Sequence, residues 1–156
     1  MKRRLCLFIE CTIFLLGLML VTTGATGEEL PGLDVHVLGR HAYVAGGLQG
    51  LYVVDIQSVK PNRVATVEMP GEANGVFAIG SFAYVAAGSA GLQIIGIRNP
   101  AEPRIVGAVD TPGDARDVYV FSNYACVADA QSGLQIINIR DAEHPRMVAS
   151  IDTPGE

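Results

Sequence analysis

The feature that most constrains the fold of this chain is an internal repeat of about 42 residues. Residues 70–111 and 112–153 align without a gap, and nineteen of the paired positions are identical. An earlier copy within residues 29–69 matches the second copy at a spacing of 41 residues, through Ala42–Ala45 and Gly50-Leu51. A period of this length means that each copy is one supersecondary unit, whose apolar surface is buried by its neighbours.

Each copy contains four short strand candidates separated by turn residues, which predicts a four-stranded antiparallel meander. In the third copy the predicted strands are Val118–Phe121, Tyr124–Ala128, Leu134–Ile139 and Arg146–Asp152. The composition agrees, since 49% of the residues are hydrophobic and 18 are Gly. The sequence therefore predicts an all-β protein.

Turn chemistry supports these boundaries. Two residues join the first two strands of each copy, and Gly39, Gly80 and Asn123 can supply the positive φ that such hairpins require. A proline precedes the fourth strand in every copy and marks that strand as the outer one, because proline cannot donate to an interior ladder. These prolines are Pro61, Pro103 and Pro145.

The third strand of each copy carries apolar side chains on both faces, whereas a half-exposed strand would alternate. Its three versions are Leu51–Ile56, Leu92–Ile97 and Leu134–Ile139. Such a strand must be covered on both sides, which face-to-face stacking of successive sheets achieves. A four-stranded repeat of about 40–45 residues is the blade of a β-propeller.

The motif Leu51-Tyr52-Val53-Val54-Asp55, the recurring Gly-Leu-Gln-Ile-Ile and the Ala-Tyr-Val-Ala strand resemble the LVIVD repeat family. The YVTN-type propeller is a near neighbour. The resemblance covers about 125 residues and implies an exported β-propeller protein of bacteria or archaea. It brings no catalytic residue set, and the motif's Asp55 is replaced by Gly96 and Asn138 in the later copies.

We expect the chain to be an incomplete propeller. The blades span residues 29–69, 70–111 and 112–153, and residues 154–156 repeat the start of a copy as if opening a fourth. Three blades would leave two open faces, while propellers have about 4 to 8 blades. The first expectation is a piece of a longer propeller, and the alternative is domain swapping or assembly of several chains.

The first 25 residues have the layout of a secretory signal peptide. Lys2, Arg3 and Arg4 precede an apolar run from Cys11 to Val21, and small residues then predict cleavage near Ala25. The run of eleven residues is short of the roughly 20 needed to cross a bilayer. We therefore predict export to the cell surface, the periplasm or the medium, with an uncleaved membrane anchor as the alternative.

Removal of this leader leaves 8 basic and 15 acidic residues, so nucleic acid is not an expected partner. Cys6 and Cys11 lie in the leader, and Cys126 would be the only thiol of the mature chain. An intramolecular disulfide framework is thereby excluded. Cys126 occupies the position of Tyr43 and Tyr84 in the other copies, and we interpret it as a small core residue, with a reactive or intermolecular thiol as the alternative.

Residues that could carry chemistry do not form a recognisable site. The sequence has no nucleophile elbow, P-loop, zincin, C-x-x-C or EF-hand motif. His36, His41 and His144 fall at three different repeat positions, which argues against a shared metal site. We assign no catalytic, cofactor-binding or metal-binding residue and expect no cofactor.

Three sets of polar residues recur between copies, and each has a structural interpretation. The recurring Asp-Thr pairs should hydrogen-bond the turn into the next blade. The recurring arginines should protect an outer strand edge. The recurring glutamines should bridge adjacent blades. The sets are Asp110 and Thr111 with Asp152 and Thr153, then Arg63, Arg104 and Arg146, then Gln93 and Gln135.

Two functional hypotheses remain at this point. The first is an extracytoplasmic or cell-surface scaffold that binds protein or glycan, with self-association if the chain is complete. The second is a partial propeller enzyme, a hydrolase or lyase, whose catalytic residues lie in further blades. Fold alone does not choose between them, although the absence of a catalytic motif favours the scaffold.

Overall fold

The computed structural model describes residues 19–22 and 29–153 of the chain. Within them the protein is all-β, with fourteen strands and one 3-10 helix, Ala130–Ser132. The expected signal peptide falls largely outside the described residues, as do its cleavage point near Ala25 and the start of a fourth repeat at 154–156. Strand β1 (Met19–Thr22) pairs antiparallel with β2 (Glu29–Gly32).

Each repeat forms one antiparallel sheet in which the strands follow their order in the chain. The first sheet contains β3 (Asp34–Leu38), β4 (His41–Ala45), β5 (Leu51–Asp55) and β6 (Asn62–Val67). The second contains β7 (Gly75–Ile79), β8 (Phe82–Ala86), β9 (Leu92–Gly96) and β10 (Arg104–Val109). The third contains β11 (Asp117–Phe121), β12 (Tyr124–Ala128), β13 (Leu134–Asn138) and β14 (Arg146–Ile151).

The predicted four-stranded meander is confirmed in all three repeats, with strand ends within one residue of those expected for the third. The hairpin residues differ in one detail. The first turn residue has the positive φ in every sheet, which is 63° at Gly39, 60° at Gly80 and 54° at Ser122. The expected Asn123 does not adopt it, so a serine occupies a conformation that favours glycine.

The sheets stack in sequence order, and β7 contacts both β3 and β11. The first strand of each repeat is therefore the inner one, and the fourth, which follows the proline, is the outermost. We call the side of a sheet that faces the preceding repeat its front and the opposite side its back.

Two apolar clusters fill the spaces between the sheets. The first joins the back of sheet one, including Tyr43, Leu51 and Val53, to the front of sheet two, including Val85 and Ile95. The second repeats this arrangement between sheets two and three. Its buried members are Tyr84, Ala86, Leu92, Ile94, Ala115, Val118, Val120, Ala125, Val127, Ile137 and Ile139. Close packing of these side chains supplies the main stabilisation, at about 1.5–3 kcal/mol for each large side chain fully buried.

The prediction that the third strand is enclosed on both faces holds for two of the sheets. In β5 and β9 the first four residues are buried. In β13 burial alternates, because Gln135 and Ile137 are buried while Leu134 and Ile136 are only half-buried. The third repeat matches the separate expectation that three blades leave open end faces, since its back is not covered by another sheet among the described residues.

The front of the first sheet also departs from expectation, since three blades were predicted to leave two open faces. Its side chains Ala42, Val44, Tyr52 and Val54 form a third buried cluster. Among the described residues, the open apolar sheet face is thus the back of the third sheet.

Candidate interaction surface

The back of the third sheet is the main candidate surface, and strand register fixes which residues share it. Tyr119 pairs with Cys126, and Cys126 pairs with Ile136 across β11, β12 and β13. Directly opposed residues lie on the same face of a sheet. The same rule adds the pairs Phe121–Tyr124 and Leu134–Ile151. We call this surface the open face; its members are Tyr119, Phe121, Tyr124, Cys126, Leu134, Ile136 and Ile151.

The open face is strongly apolar and aromatic. The exposed fractions are 62% for Tyr119, 72% for Phe121, 43% for Tyr124 and 48% for Ile151. In the second sheet the corresponding back is covered, so that Tyr84 is 5% exposed and Leu92 and Ile94 are fully buried. Repetition of the sequence has thus produced the same apolar back three times, and the third copy faces solvent.

Aromatic rings also connect the inner strands from sheet to sheet. The ring of His36 lies 4.5 Å from that of Phe77, which in turn lies 5.0 Å from Tyr119 in an edge-on arrangement. Such geometry is favourable for aromatic pairs. This row of rings ends at Tyr119 on the open face, so the Tyr119 ring packs against Phe77 of the second sheet.

One backbone bridge of two hydrogen bonds ties each sheet to the next one. The amide of Gly47 donates to the carbonyl of Ala73 at 2.9 Å, and the amide of Ala73 donates back to Gly47 at 2.9 Å. Gly88 and Ala115 form the same pair between the second and third sheets, at 3.1 and 3.0 Å. These bridges fix the spacing of the sheets near the second turn of each repeat.

A carboxylate on the first inner strand reinforces this spacing. Asp34 accepts the amide of Val35 with Oδ1 and the amide of Val76, in the next sheet, with Oδ2, both at 2.8 Å. Asp117 is at the same repeat position and accepts the amide of Val118 at 2.8 Å. Neither role was recognised in the sequence, although aligning the repeats brings Asp34 and Asp117 into register.

A buried carboxylate, which we call the Asp129 clasp, hydrogen-bonds the segment that connects the second and third sheets. Asp129 is fully buried and accepts the hydroxyl of Thr111 at 2.6 Å and the amide of Gly113 at 2.8 Å. The predicted turn role is therefore supported for Thr111. Asp110, Asp152 and Thr153 are exposed. Asp129 itself was not singled out in the sequence, because the other repeats have Gly46 and Ala87 at its position.

The Asp of the repeat motif stabilises a turn. Asp55 accepts the amide of Gln57 at 3.0 Å and the hydroxyl of Ser58 at 2.9 Å, and its Oδ2 lies 2.9 Å from Nη2 of Arg40. The Gln57 bond, then Ser58 and Arg40, lower the pKa of Asp55 from 3.8 to about 2. Asn138 accepts the amide of Arg140 at 3.0 Å in the same way.

A shallow open pocket of about 470 Å³ lies beside the open face. His144 Nδ1 lies 3.1 Å from Asp141 Oδ2 within it. The hydrogen bonds from His144 and from the amide of Glu143 hold the pKa of Asp141 below its usual range. The lining residues are Asn138, Arg140, Asp141, His144, Arg146 and Val148. The pocket gives one margin of the open face a polar, charged border.

The three histidines lie in different parts of the fold. His36 is on the inner strand β3, His41 begins β4, and His144 is in the loop before β14. In the part of the chain that the structure describes, no group of three or more His, Cys, Asp or Glu side chains is arranged to hold a metal ion. No helix in that part is long and apolar enough to span a membrane.

The recurrent arginines lie on the outer strands. Arg104 and Arg146 begin β10 and β14, are exposed, and fit the predicted protection of the edge. Arg63 is one residue further along β6, where its guanidinium carbon lies 5.4 Å from the centre of the Tyr52 ring. The side chain of Arg63 thus covers an aromatic ring of the first sheet.

The prediction that Gln93 and Gln135 bridge adjacent blades was wrong. Gln93 Nε2 donates to the carbonyl of Ala90 at 2.7 Å, and Gln135 Nε2 donates to Ser132 at 2.6 Å. Both bonds close the turn of the glutamine's own sheet and do not bridge to an adjacent one. The reason is geometric, because the left-handed turn brings a carbonyl within three residues of each glutamine.

Cys126 is a free thiol and is half-buried. The interpretation of a small core residue was based on Tyr43 and Tyr84, which are 2% and 5% exposed. Burial raises the pKa of both tyrosines. Cys126 is less buried because it lies on the open face, where no following sheet covers it among the described residues.

Comparison with solved structures supports the propeller-like arrangement. The chain superposes on the computationally designed, propeller-like Ika8 protein with a TM-score of 0.66 at 10% sequence identity. The match covers 88% of this chain and 47% of Ika8, so the chain spans about half the length of that protein. At this identity the likeness establishes the fold alone.

Sequence comparison gives the family. No curated protein matches the chain. The model of the LVIVD repeat matches residues 33–62, 70–111 and 112–153, which agree with the three sheets described above. Because these matches span most of the chain and each falls on one four-stranded sheet, the protein belongs to the LVIVD repeat family.

Proposed function

We propose that this protein is an exported interaction scaffold that binds a protein partner on the open face of its third sheet. The observation that carries the proposal is the exposure of Tyr119, Phe121 and Tyr124 on one rigid sheet. Contiguous exposed apolar patches on soluble proteins mark interaction sites. Tyrosine and phenylalanine are enriched at the buried centres of protein interfaces.

The composition of the open face favours protein over glycan. Leu134, Ile136 and Ile151 lie on the same face as the aromatic rings and offer no hydrogen bond to a sugar hydroxyl. Asn138 and Arg146 place polar groups in the pocket at the margin, and Asp117 places a carboxylate at the inner edge. An apolar centre with a polar border is the usual anatomy of a protein interface.

The stacking of the sheets gives the open face the rigidity that binding needs. One inter-sheet cluster, the backbone bridge between Gly88 and Ala115 and the Asp129 clasp hold the third sheet on the second. Side chains on such a support lose little further freedom when a partner binds, and this lowers the entropic cost of association. The basic, apolar leader supports action outside the cytoplasm.

Site-specific photo-crosslinking in the native host tests this function. A benzophenone amino acid replaces Phe121 in one variant and Val59, in an exposed loop away from the open face, in the control. We expect a macromolecular adduct from position 121 that protease digests, and none from position 59. Equal labelling at the two positions, or an adduct removed by glycosidase and resistant to protease, would overturn the proposal.

A further inference from the structure

The open face repeats three features of the interfaces that already exist between the sheets. The apolar back and the bridging turn occur in both interfaces, and the inner-strand carboxylate occurs in the first alone, because the second sheet has Gly75 at that position. The first is the apolar back. Positions held by Leu51 and Val53 in the first sheet and by Leu92 and Ile94 in the second are Leu134 and Ile136 in the third. In both formed interfaces these side chains pack against the front of another LVIVD sheet, whose contacting residues are small or β-branched.

The second feature is the inner-strand carboxylate. Asp34 uses Oδ1 for the amide that follows it in its own strand and Oδ2 for Val76 in the next sheet. Asp117 makes the same local bond to Val118. Its exposed side chain is therefore oriented to accept an amide from a strand stacked on the open face.

The third feature is the turn that forms the backbone bridges. Gly47 and Gly88 have φ of 59° and 57°, and their carbonyls also accept an amide from three residues later. Ala130 is at the same repeat position, with φ of 44°, and its carbonyl accepts the amide of Gly133 at 3.2 Å. An alanine thus keeps the left-handed conformation that presents a bridging amide and carbonyl.

We propose that the open face is a docking site for one further LVIVD-type sheet, presented front first by the partner. The partner's contacting side chains would be Val, Ala and Ile, as in the fronts of the second and third sheets. Its inner strand would donate one amide to Asp117, and its preceding segment would form the bridge with Ala130. This inference rests on the proposed function and names the partner class for the same surface.

The chain itself forms this kind of interface twice, and the open face continues the series. An unrelated apolar partner could pack against Leu134 and Ile136, but it would not place an amide against Asp117 or a backbone segment against Ala130. These two polar positions lie at the inner edge and at the second turn, so both engage only when a four-stranded sheet stacks in register. Two polar constraints on an apolar face supply specificity in this way.

A chain carrying a fourth repeat tests the fit. A second copy of residues 112–153, in which the appended copy of Cys126 is changed to Ser, is joined after Thr153 of the full-length protein, and alkylation of the original Cys126 by iodoacetamide is followed by peptide mass spectrometry. We expect the reaction of Cys126 in the original chain to slow by about tenfold or more in the extended chain, because reaction would then require local opening.

Three variants of the extended chain complete the test. Changing the appended copy of Val120 to Asp places a charge in the new interface and should restore fast alkylation of Cys126. Asp117→Ala in the original repeat should weaken the protection, whereas Asp110→Ala, at an exposed carboxylate outside the open face, should leave it unchanged.

The outcomes separate the two proposals. Unchanged alkylation of Cys126 in the extended chain, or protection that survives the charged variant, would overturn the docking of an LVIVD-type sheet. The proposed function would still stand if photo-crosslinking at Phe121 succeeded. Failure of that crosslinking with Cys126 protected would instead show that the face accepts such a sheet without binding a protein in the host.

Discussion

At the scale of single residues, the Asp of the repeat motif is a turn residue with a pH-dependent contribution. Asp55 and Asn138 make the same bond to the backbone two residues later, at 3.0 Å. Asparagine therefore preserves the turn but cannot be charged. This explains on physical grounds why the motif tolerates Asn138, whereas Gly96 of the second sheet has no side chain that could make the bond.

Asp55 should make the free energy of unfolding depend on pH in the acid range. Its pKa is lowered from 3.8 to about 2 in the folded protein. Its contribution to the free energy of unfolding is therefore fully present above pH 3.8 and is lost as the pH falls through about 2. We expect Asp55→Asn to flatten the dependence of the unfolding midpoint between these pH values, as measured by urea denaturation. Asp110→Asn serves as the control. A dependence as steep as in the parent protein would contradict the assigned interactions.

Ser122 offers a test of backbone strain. It has φ of 54°, and at the equivalent Gly39 and Gly80 an added Cβ would meet no atom within 4 Å, so the backbone conformation is the main constraint. We expect Ser122→Gly to raise the free energy of unfolding by about 0.5–1 kcal/mol. The reciprocal Gly80→Ser should lower it by a similar amount. Effects of the same sign in the two variants, measured by thermal unfolding, would refute the assignment.

At the scale of elements, the strands were predictable and several of their contacts were not. Period, turn residues and the proline before each outer strand indicated the boundaries to within a residue, because these signals are local. The glutamine bonds were missed because an amide can reach its own turn as easily as a neighbouring sheet. The Asp129 clasp was missed because only the third repeat has an Asp at that position.

The Asp129 clasp should be important for the junction of the second and third sheets. Thr111→Val removes one donor to a buried carboxylate, and we expect it to cost about 1–3 kcal/mol of unfolding free energy. Thr153→Val, at the same repeat position but exposed, is the matched control. Equal small losses in both variants in chemical denaturation would mean that the clasp contributes nothing.

At the scale of the whole molecule, the order of the sheets followed from the sequence, and the covering of the front of the first sheet did not. Apolar residues on both sides of the third strand indicated stacking, which the second sheet fulfils. That pattern is the same in all three repeats, so it could not show that the front of the first sheet is buried. The open back of the third sheet was expected from the count of three blades, and no further sheet covers it in the part of the chain that the structure describes.

Export is a further expectation at this scale. The basic start and apolar run predict that the leader is removed near Ala25. N-terminal sequencing of the protein secreted by a bacterial host should therefore find the mature chain starting within a few residues of that position. Recovery of the protein only in the cytoplasm, with Met1 retained, would contradict the prediction.

The second sheet is enclosed by its neighbours while the third has one open face, and a matched pair of variants tests this difference most directly. Leu92 and Leu134 occupy the same position in their sheets, yet Leu92 is fully buried and Leu134 is half-buried. In urea denaturation we expect Leu92→Ala to cost about 3–4 kcal/mol of unfolding free energy and Leu134→Ala about 1–2 kcal/mol. Equal losses, or a larger loss at Leu134, would contradict the account.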